Sequence, residues 1–202
     1  MKTMLKICGL TREEDVKSAI EAGAKYLGFI FYKKSPRYVE PEKVNDICRN
    51  IPPAIKKVGV FVNKSAEKIQ EVAEFCHLDV VQLHGDESPE LAGKLKGLEI
   101  WKAFAVNSEA ELNIAEEFPA DAILLDSADG RQRGGTGKEC DWRLAAELSK
   151  KRRVILAGGI NSENIQRAVE EVKPAIIDVN SGVEIAPGIK DKTKIYIIGK
   201  LL

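Results

Sequence analysis

The sequence predicts an α/β fold, a single (β/α)8 barrel over residues 1–202 with eight parallel strands inside and helices outside. Short runs rich in Val, Ile, Leu and Phe alternate eight times with longer, charged, amphipathic stretches. The apolar runs are nearly continuous, as in parallel strands buried on both faces. Eight units in 202 residues is about 25 each, the compact end of the barrel range, and no linker divides the chain. A doubly wound open sheet shares this pattern, but eight evenly spaced units close naturally.

The strands are expected near 4–8 ("MLKIC"), 26–31 ("YLGFIF"), 57–62 ("KVGVFV") and 79–84 ("DVVQLH"). Four more follow near 99–105 ("EIWKAFA"), 121–126 ("DAILLD"), 153–157 ("RVILA") and 175–179 ("AIIDV"). Between and after them the helices fall at 12–22, 41–50, 65–76, 88–96, 108–117, 141–151, 161–172 and 190–200. Thr11 with Glu14 and Ser108 with Glu111 have capping-box spacing, and Ser88 precedes Pro89 at a first-turn position.

Composition excludes several functions. Lys+Arg and Asp+Glu both number 31, so no strong basic field attracts nucleic acid or anionic lipid. No apolar run approaches the ~18 residues of a membrane span, and "MKTMLK" lacks a signal-peptide core, which points to the cytoplasm. Cys8, Cys48, Cys76 and Cys140 are too far apart for a zinc or redox motif, and with only His77 and His84 no His-rich metal centre is expected.

In such a barrel the chemistry lies at the strand C-termini and in the loops that follow them. Cys8 ends the first strand, Asp126 the sixth, and "AGGIN" and "NSGVE" follow the seventh and eighth. The glycine-rich junctions, Gly158 and Gly159 with Ser181 and Gly182, are candidates to hold a phosphate, since bare backbone N–H groups approach an anion closely there. Glycine serves plain turns equally well, but two such junctions on adjacent strands favour the anion.

Cys8 is either a small packed hydrophobe or a mouth-facing thiol. Side chains alternate along a strand, so Lys6 lies one layer below it, where Asp178 on the neighbouring strand is its expected partner and a further ligand-binding candidate. Positive charge so placed favours a thiolate. Asp126 is a turn residue or a functional carboxylate, and Gly134, Gly135 and Gly137 make the following loop either merely flexible or a closing lid. Arg37 in "SPRYV" is a surface residue or pairs with a ligand carboxylate, and His84 packs at a strand end or touches substrate.

Taken together, "KICGLT", "GFIFYKKSPRYV", "VGVFVN", "VQLHGDE", "LLDS", "GGTG", "LAGGIN" and "DVNSGVE" closely resemble, in order, the phosphoribosylanthranilate isomerase family. The resemblance covers essentially the whole chain. It implies a cofactor-free Amadori rearrangement in tryptophan biosynthesis, with Cys8 as general base, Asp126 as general acid and Arg37 near the anthranilate carboxylate. It implies a small phosphoribosyl substrate, with a monomer or homodimer and no nucleic-acid or membrane partner. One departure is Cys140, where such proteins often carry an aromatic residue. The alternatives are a non-catalytic phosphate-binding barrel, an isomerase of a related aminoaldose, or another phosphate-binding barrel enzyme such as indole-glycerol-phosphate synthase, whose lysine and glutamate pattern is not found here.

Overall fold

The structure, a computed structural model, describes residues 2–126, 128–129, 132–133 and 141–202. Strands β1 (Met4–Ile7), β2 (Tyr26–Ile30), β3 (Lys56–Phe61) and β4 (Val80–Leu83) are followed by β5 (Glu99–Ala105), β6 (Ala122–Asp126), β7 (Val154–Leu156) and β8 (Ile176–Val179). All eight pair in parallel and close into a barrel in which β8 lies beside β1. The expected closed barrel is therefore the fold.

Alternation divides each strand between two packed regions. Tyr26, Val58, Val80, Trp101, Leu124, Ile155 and Ile176 fill the barrel interior. Leu5, Ile7, Leu27, Phe29, Val81, Ile123, Leu125 and Ile177 point outward into the larger core beneath the helices. Both faces of a strand are thus out of water, which is why the sequence shows continuous apolar runs.

The N-terminal end of the barrel is closed by side chains. The Tyr26 and Trp101 rings lie 5.1 Å apart. Arg153 joins them, donating to the Tyr26 hydroxyl at 2.8 Å and to Glu99 at 2.6 Å, while Trp101 Nε1 donates to Glu99 at 2.6 Å.

The helices are α1 (Glu13–Glu21), α2 (Pro41–Cys48), α3 (Ala66–Phe75), α4 (Pro89–Ala92), α5 (Glu109–Glu117), α6 (Trp142–Ser149), α7 (Ile165–Val172) and α8 (Lys192–Leu201). Ser88 and Ser108 cap α4 and α5 as expected. Thr11 does not cap α1: Arg12 occupies that position without a side-chain cap, and the Thr11 hydroxyl donates instead to the Gly188 carbonyl at 2.6 Å. A tertiary partner outcompetes the local one.

The expected helix over 88–96 is only the single turn of α4, followed by a chain that turns at Gly97 with φ +72°. The helix expected from 161 begins at Ile165, because Asn161 and Asn164 accept from nearby backbone N–H groups of residues 163 and 161 and hold a turn there. Before α8 the chain forms an antiparallel pair, Glu184–Ala186 with Ile189–Lys190, so the helix expected from 190 starts at Lys192 after Asp191 as its cap. After β6 a small antiparallel pair, Ala128–Asp129 with Gln132–Arg133, departs from the barrel. The lid expected at Gly134, Gly135 and Gly137, and Cys140, lie outside the described residues. Among the described residues no helix is long and apolar enough to cross a membrane.

Candidate active site

One cavity opens at the C-terminal ends of the barrel strands, and Cys8, Arg37, His84, Asp126, Asp178, Gly158, Gly159 and Ser181 all line it. The space between these residues, counted out through its open mouth, is roughly 760 Å³. Of the candidate catalytic, substrate-binding and phosphate-binding residues, Gly182 is not part of the lining. It sits behind Ser181, where a Cβ would press on the Ile160 carbonyl, so its lack of a side chain lets the β8 turn abut the β7 turn.

Cys8 follows the last residue of β1, and its backbone N–H continues the ladder to Val179 at 2.9 Å. The next residue, Gly9, turns the chain away with φ +71°. A Cβ on Gly28 of β2 would stand 2.7 Å from the Cys8 sulfur. That bare strand position makes room for the thiol, and a glycine inside an apolar strand is the sequence signal that could have revealed it.

Below Cys8, Lys6 is fully buried and donates to Asp178 Oδ2 at 2.6 Å and to Gln82 Oε1 at 2.9 Å. The register that puts Lys6 opposite Asp178 is the one alternation predicted. Burial alone would pull the lysine down, but the charge of Asp178, with help from Cys8, outweighs it and the net shift is upward. Burial pushes Asp178 up against the pull of Lys6. The short contact and the second acceptor, Gln82, keep the proton on Lys6. Asp178 Oδ1 is buried and has no hydrogen-bond partner among the described residues.

Burial pushes the Cys8 thiol up, and Lys6 only partly offsets this. Lys6 thus acts with the expected sign, favouring thiolate, while the desolvation of the packed barrel works against it.

Across the cavity His84 Nε2 stands 3.4 Å from Asp126 Oδ2, and its Nδ1 lies 2.8 Å from Gln82 Nε2. The interior polar groups therefore form one connected path, from Asp178 through Lys6, Gln82 and His84 to Asp126. The sequence reading missed Gln82, although a polar residue inside the apolar run "VVQL" was the available sign.

Arg37 reaches the cavity, but its fork is occupied: Nε and Nη2 donate to Glu184 at 2.7 to 3.1 Å. Glu184 is itself tied to the buried Lys190 at 2.9 Å and accepts from the Gly188 N–H at 3.1 Å. Burial works against the charge on Glu184, but Arg37 and Lys190 prevail and hold its carboxyl below the usual range. A ligand carboxylate would meet the remaining edge of the guanidinium. No local signal links residues 37 and 184.

The β7 turn has two successive left-handed glycines, Gly158 with φ +78° and Gly159 with φ +68°. Such a turn is open to glycine at little strain and leaves its backbone bare toward the cavity. Opposite it, Ile30, Tyr32, Val60 and Val62 form a largely apolar wall beside Arg37. Cys8 and Asp126 flank the space between. The arrangement suits a ligand with an anion at one end and a flat apolar acid at the other, with a proton donor and acceptor at its middle.

Residues 5–200 match the family model described as N-(5'phosphoribosyl)anthranilate (PRA) isomerase. The N-(5'-phosphoribosyl)anthranilate isomerase of Syntrophus aciditrophicus is 45% identical over 196 residues, covering 97% of this chain and 85% of that protein. The crystal structure of phosphoribosyl anthranilate isomerase from Thermotoga maritima superposes with a TM-score of 0.93 at 39% identity, covering 99% of this chain and 98% of that one. A crystal structure of a phosphoribosyl anthranilate isomerase in complex with reduced 1-(o-carboxyphenylamino)-1-deoxyribulose 5-phosphate matches with a TM-score of 0.89 at 39% identity, covering 98% and 97% of the two chains. A shared family model across the barrel and close likeness in both sequence and shape place the chain in the N-(5'-phosphoribosyl)anthranilate isomerase family.

Proposed function

We infer that the protein isomerises N-(5'-phosphoribosyl)anthranilate to 1-(2-carboxyphenylamino)-1-deoxyribulose 5-phosphate, a step of tryptophan biosynthesis. The observation that carries the mechanism is the convergence of Cys8 and Asp126 on one cavity between the β7–β8 turns and the apolar wall near Arg37. In this reading the substrate phosphate rests on the Gly158–Gly159 and Ser181–Gly182 turns. The anthranilate ring lies against Ile30, Tyr32, Val60 and Val62, and its carboxylate meets Arg37. The ribose then lies over the two reacting groups.

Asp126 delivers a proton to the ring oxygen, the furanose opens, and the nitrogen is left as a cationic Schiff base. That cation acidifies the hydrogen on ribose C2. Cys8 removes it, and the resulting enolamine tautomerises to the aminoketone. The Schiff base brings a second positive charge beside the one that Lys6 already supplies, which favours Cys8 as the base. The orphaned Asp178 Oδ1 supports a role for that residue as acceptor for a ribose hydroxyl.

The test follows the loss of anthranilate fluorescence with substrate generated in situ. The wild-type protein should convert it, and Cys8→Ala and Asp126→Asn should not convert it appreciably. Binding of the phosphoribosyl compound without conversion by wild type would instead support a barrel that only holds its ligand.

A further inference from the structure

Gln82 lies in the middle of β4 with only 1% of its surface exposed, and among the described residues each end of its amide has one partner. Oε1 accepts from Lys6 Nζ at 2.9 Å, and Nε2 lies 2.8 Å from His84 Nδ1. An ammonium group only donates hydrogen bonds. The amide atom that faces Lys6 is therefore the oxygen, and the NH2 is turned toward the imidazole. With a donor directed at it, Nδ1 must present its lone pair, so the ring proton sits on Nε2. Nε2 is the atom that faces Asp126 Oδ2 at 3.4 Å. The fixed polarity of one lysine is thus handed through one amide to the proton position of a histidine.

We propose that Gln82 is a positioning residue that holds His84 as the Nε2–H tautomer and, through it, orients the carboxyl of Asp126. The inference rests on the reading of Asp126 as general acid. With Nε2–H facing Oδ2 at 3.4 Å, that oxygen is favoured as the acceptor and the transferable proton of Asp126 is left to the other oxygen. The same amide ties the Lys6–Asp178 pair, next to Cys8, to the acid on the far wall. Both proton-transfer groups are then held by one rigid path.

The test uses the full chain labelled with 15N. It has two histidines, and His77 is exposed, so a His77→Asn variant assigns the His84 ring in long-range proton–nitrogen spectra. At mildly alkaline pH, where an imidazole is neutral, wild type should show His84 as the Nε2–H tautomer. In Gln82→Met the donor is lost, and His84 should become a mixture of tautomers. In Gln82→Glu the carboxylate accepts from both Lys6 and the ring, so His84 should move to Nδ1–H. Both variants should lose at least about tenfold in kcat, less than the ~10²–10⁴ that a general acid itself supplies, with KM moving less.

A merely structural amide would lower thermal stability without turning the tautomer. If the methionine variant does not fold, the glutamate variant, which keeps a partner for Lys6, carries the test. Wild-type His84 found as Nδ1–H, an unturned ring in Gln82→Glu, or kcat within twofold of wild type in the folded variants would overturn the proposal. Asp126→Asn measured alongside separates the two levels. Full activity there overturns the acid assignment and with it this inference. Inactivity there, with Gln82 variants near wild-type kcat, overturns the positioning role alone.

Discussion

Replacing Lys6 with methionine isolates the buried charge pair from everything else in the barrel. Lys6 is fully buried and its contact with Asp178 is 2.6 Å, so methionine keeps the stem volume but removes the cation that touches that carboxylate. Breaking one side of a buried pair costs about 3–5 kcal/mol, because the other charge stays behind without compensation. Here burial already pushes Asp178 up, so once Lys6 is gone the carboxyl escapes the penalty by taking a proton. The sign follows: a group with a raised folded-state pKa contributes stability at low pH and loses it as pH rises through that value.

The destabilisation of Lys6→Met should therefore be small in mildly acidic buffer and approach the full figure above neutrality. Urea denaturation of wild type and variant at both pH values measures it from the shift in midpoint. Lys6→Met combined with Asp178→Leu should recover most of the loss, since well-packed apolar groups often replace a buried ion pair without penalty. An equal loss at both pH values, or a double variant no better than the single, would refute the reasoning. Activity should fall as well, because the thiol then loses the charge that partly offsets its burial.

Cys8→Ala and Asp126→Asn should each lower kcat by ~10²–10⁴ with little change in thermal transition, as read by turnover and melting curves. A Cys8→Ala enzyme with near wild-type kcat and lower stability would return the thiol to a packing role. Arg37→Ala should raise KM more than it lowers kcat, with lysine only partly restoring it, since lysine lacks the planar fork. The same change should also lower the melting temperature, because Glu184 would lose its bidentate partner. Gly28→Ala should destabilise by about 1–3 kcal/mol and slow turnover, because the new methyl group would lie 2.7 Å from the Cys8 sulfur and 3.0 Å from its Cα. A melting curve and kcat unchanged from wild type would remove Gly28 from the site.

What the sequence displayed was whatever depends on period and position along a strand. Cys8 and Asp126 stand at strand ends, and the partnership of Lys6 with Asp178 follows from alternation on two strands that barrel closure makes neighbours. Hidden were the choices settled by distant partners. Thr11 has perfect spacing for a cap yet bonds to Gly188, and Arg37 gives its fork to Glu184, 147 residues away. The balance at Cys8 was also hidden, because a nearby lysine is visible in sequence whereas the degree of desolvation that outweighs it is a property of the packed barrel. Gln82 had no reading on its own, since an amide acquires meaning only from what stands at each end.

The side chains that seal the lower barrel have a consequence for traffic. With Tyr26, Trp101, Arg153 and Glu99 joined at the N-terminal end of the barrel, the cavity is a cup and not a tube. Whatever goes in over the rim must come out over it. Product still seated on the phosphate turns denies the next substrate its place, so product should inhibit competitively. Turnover then depends on how fast the cup empties as well as on how fast protons move within it.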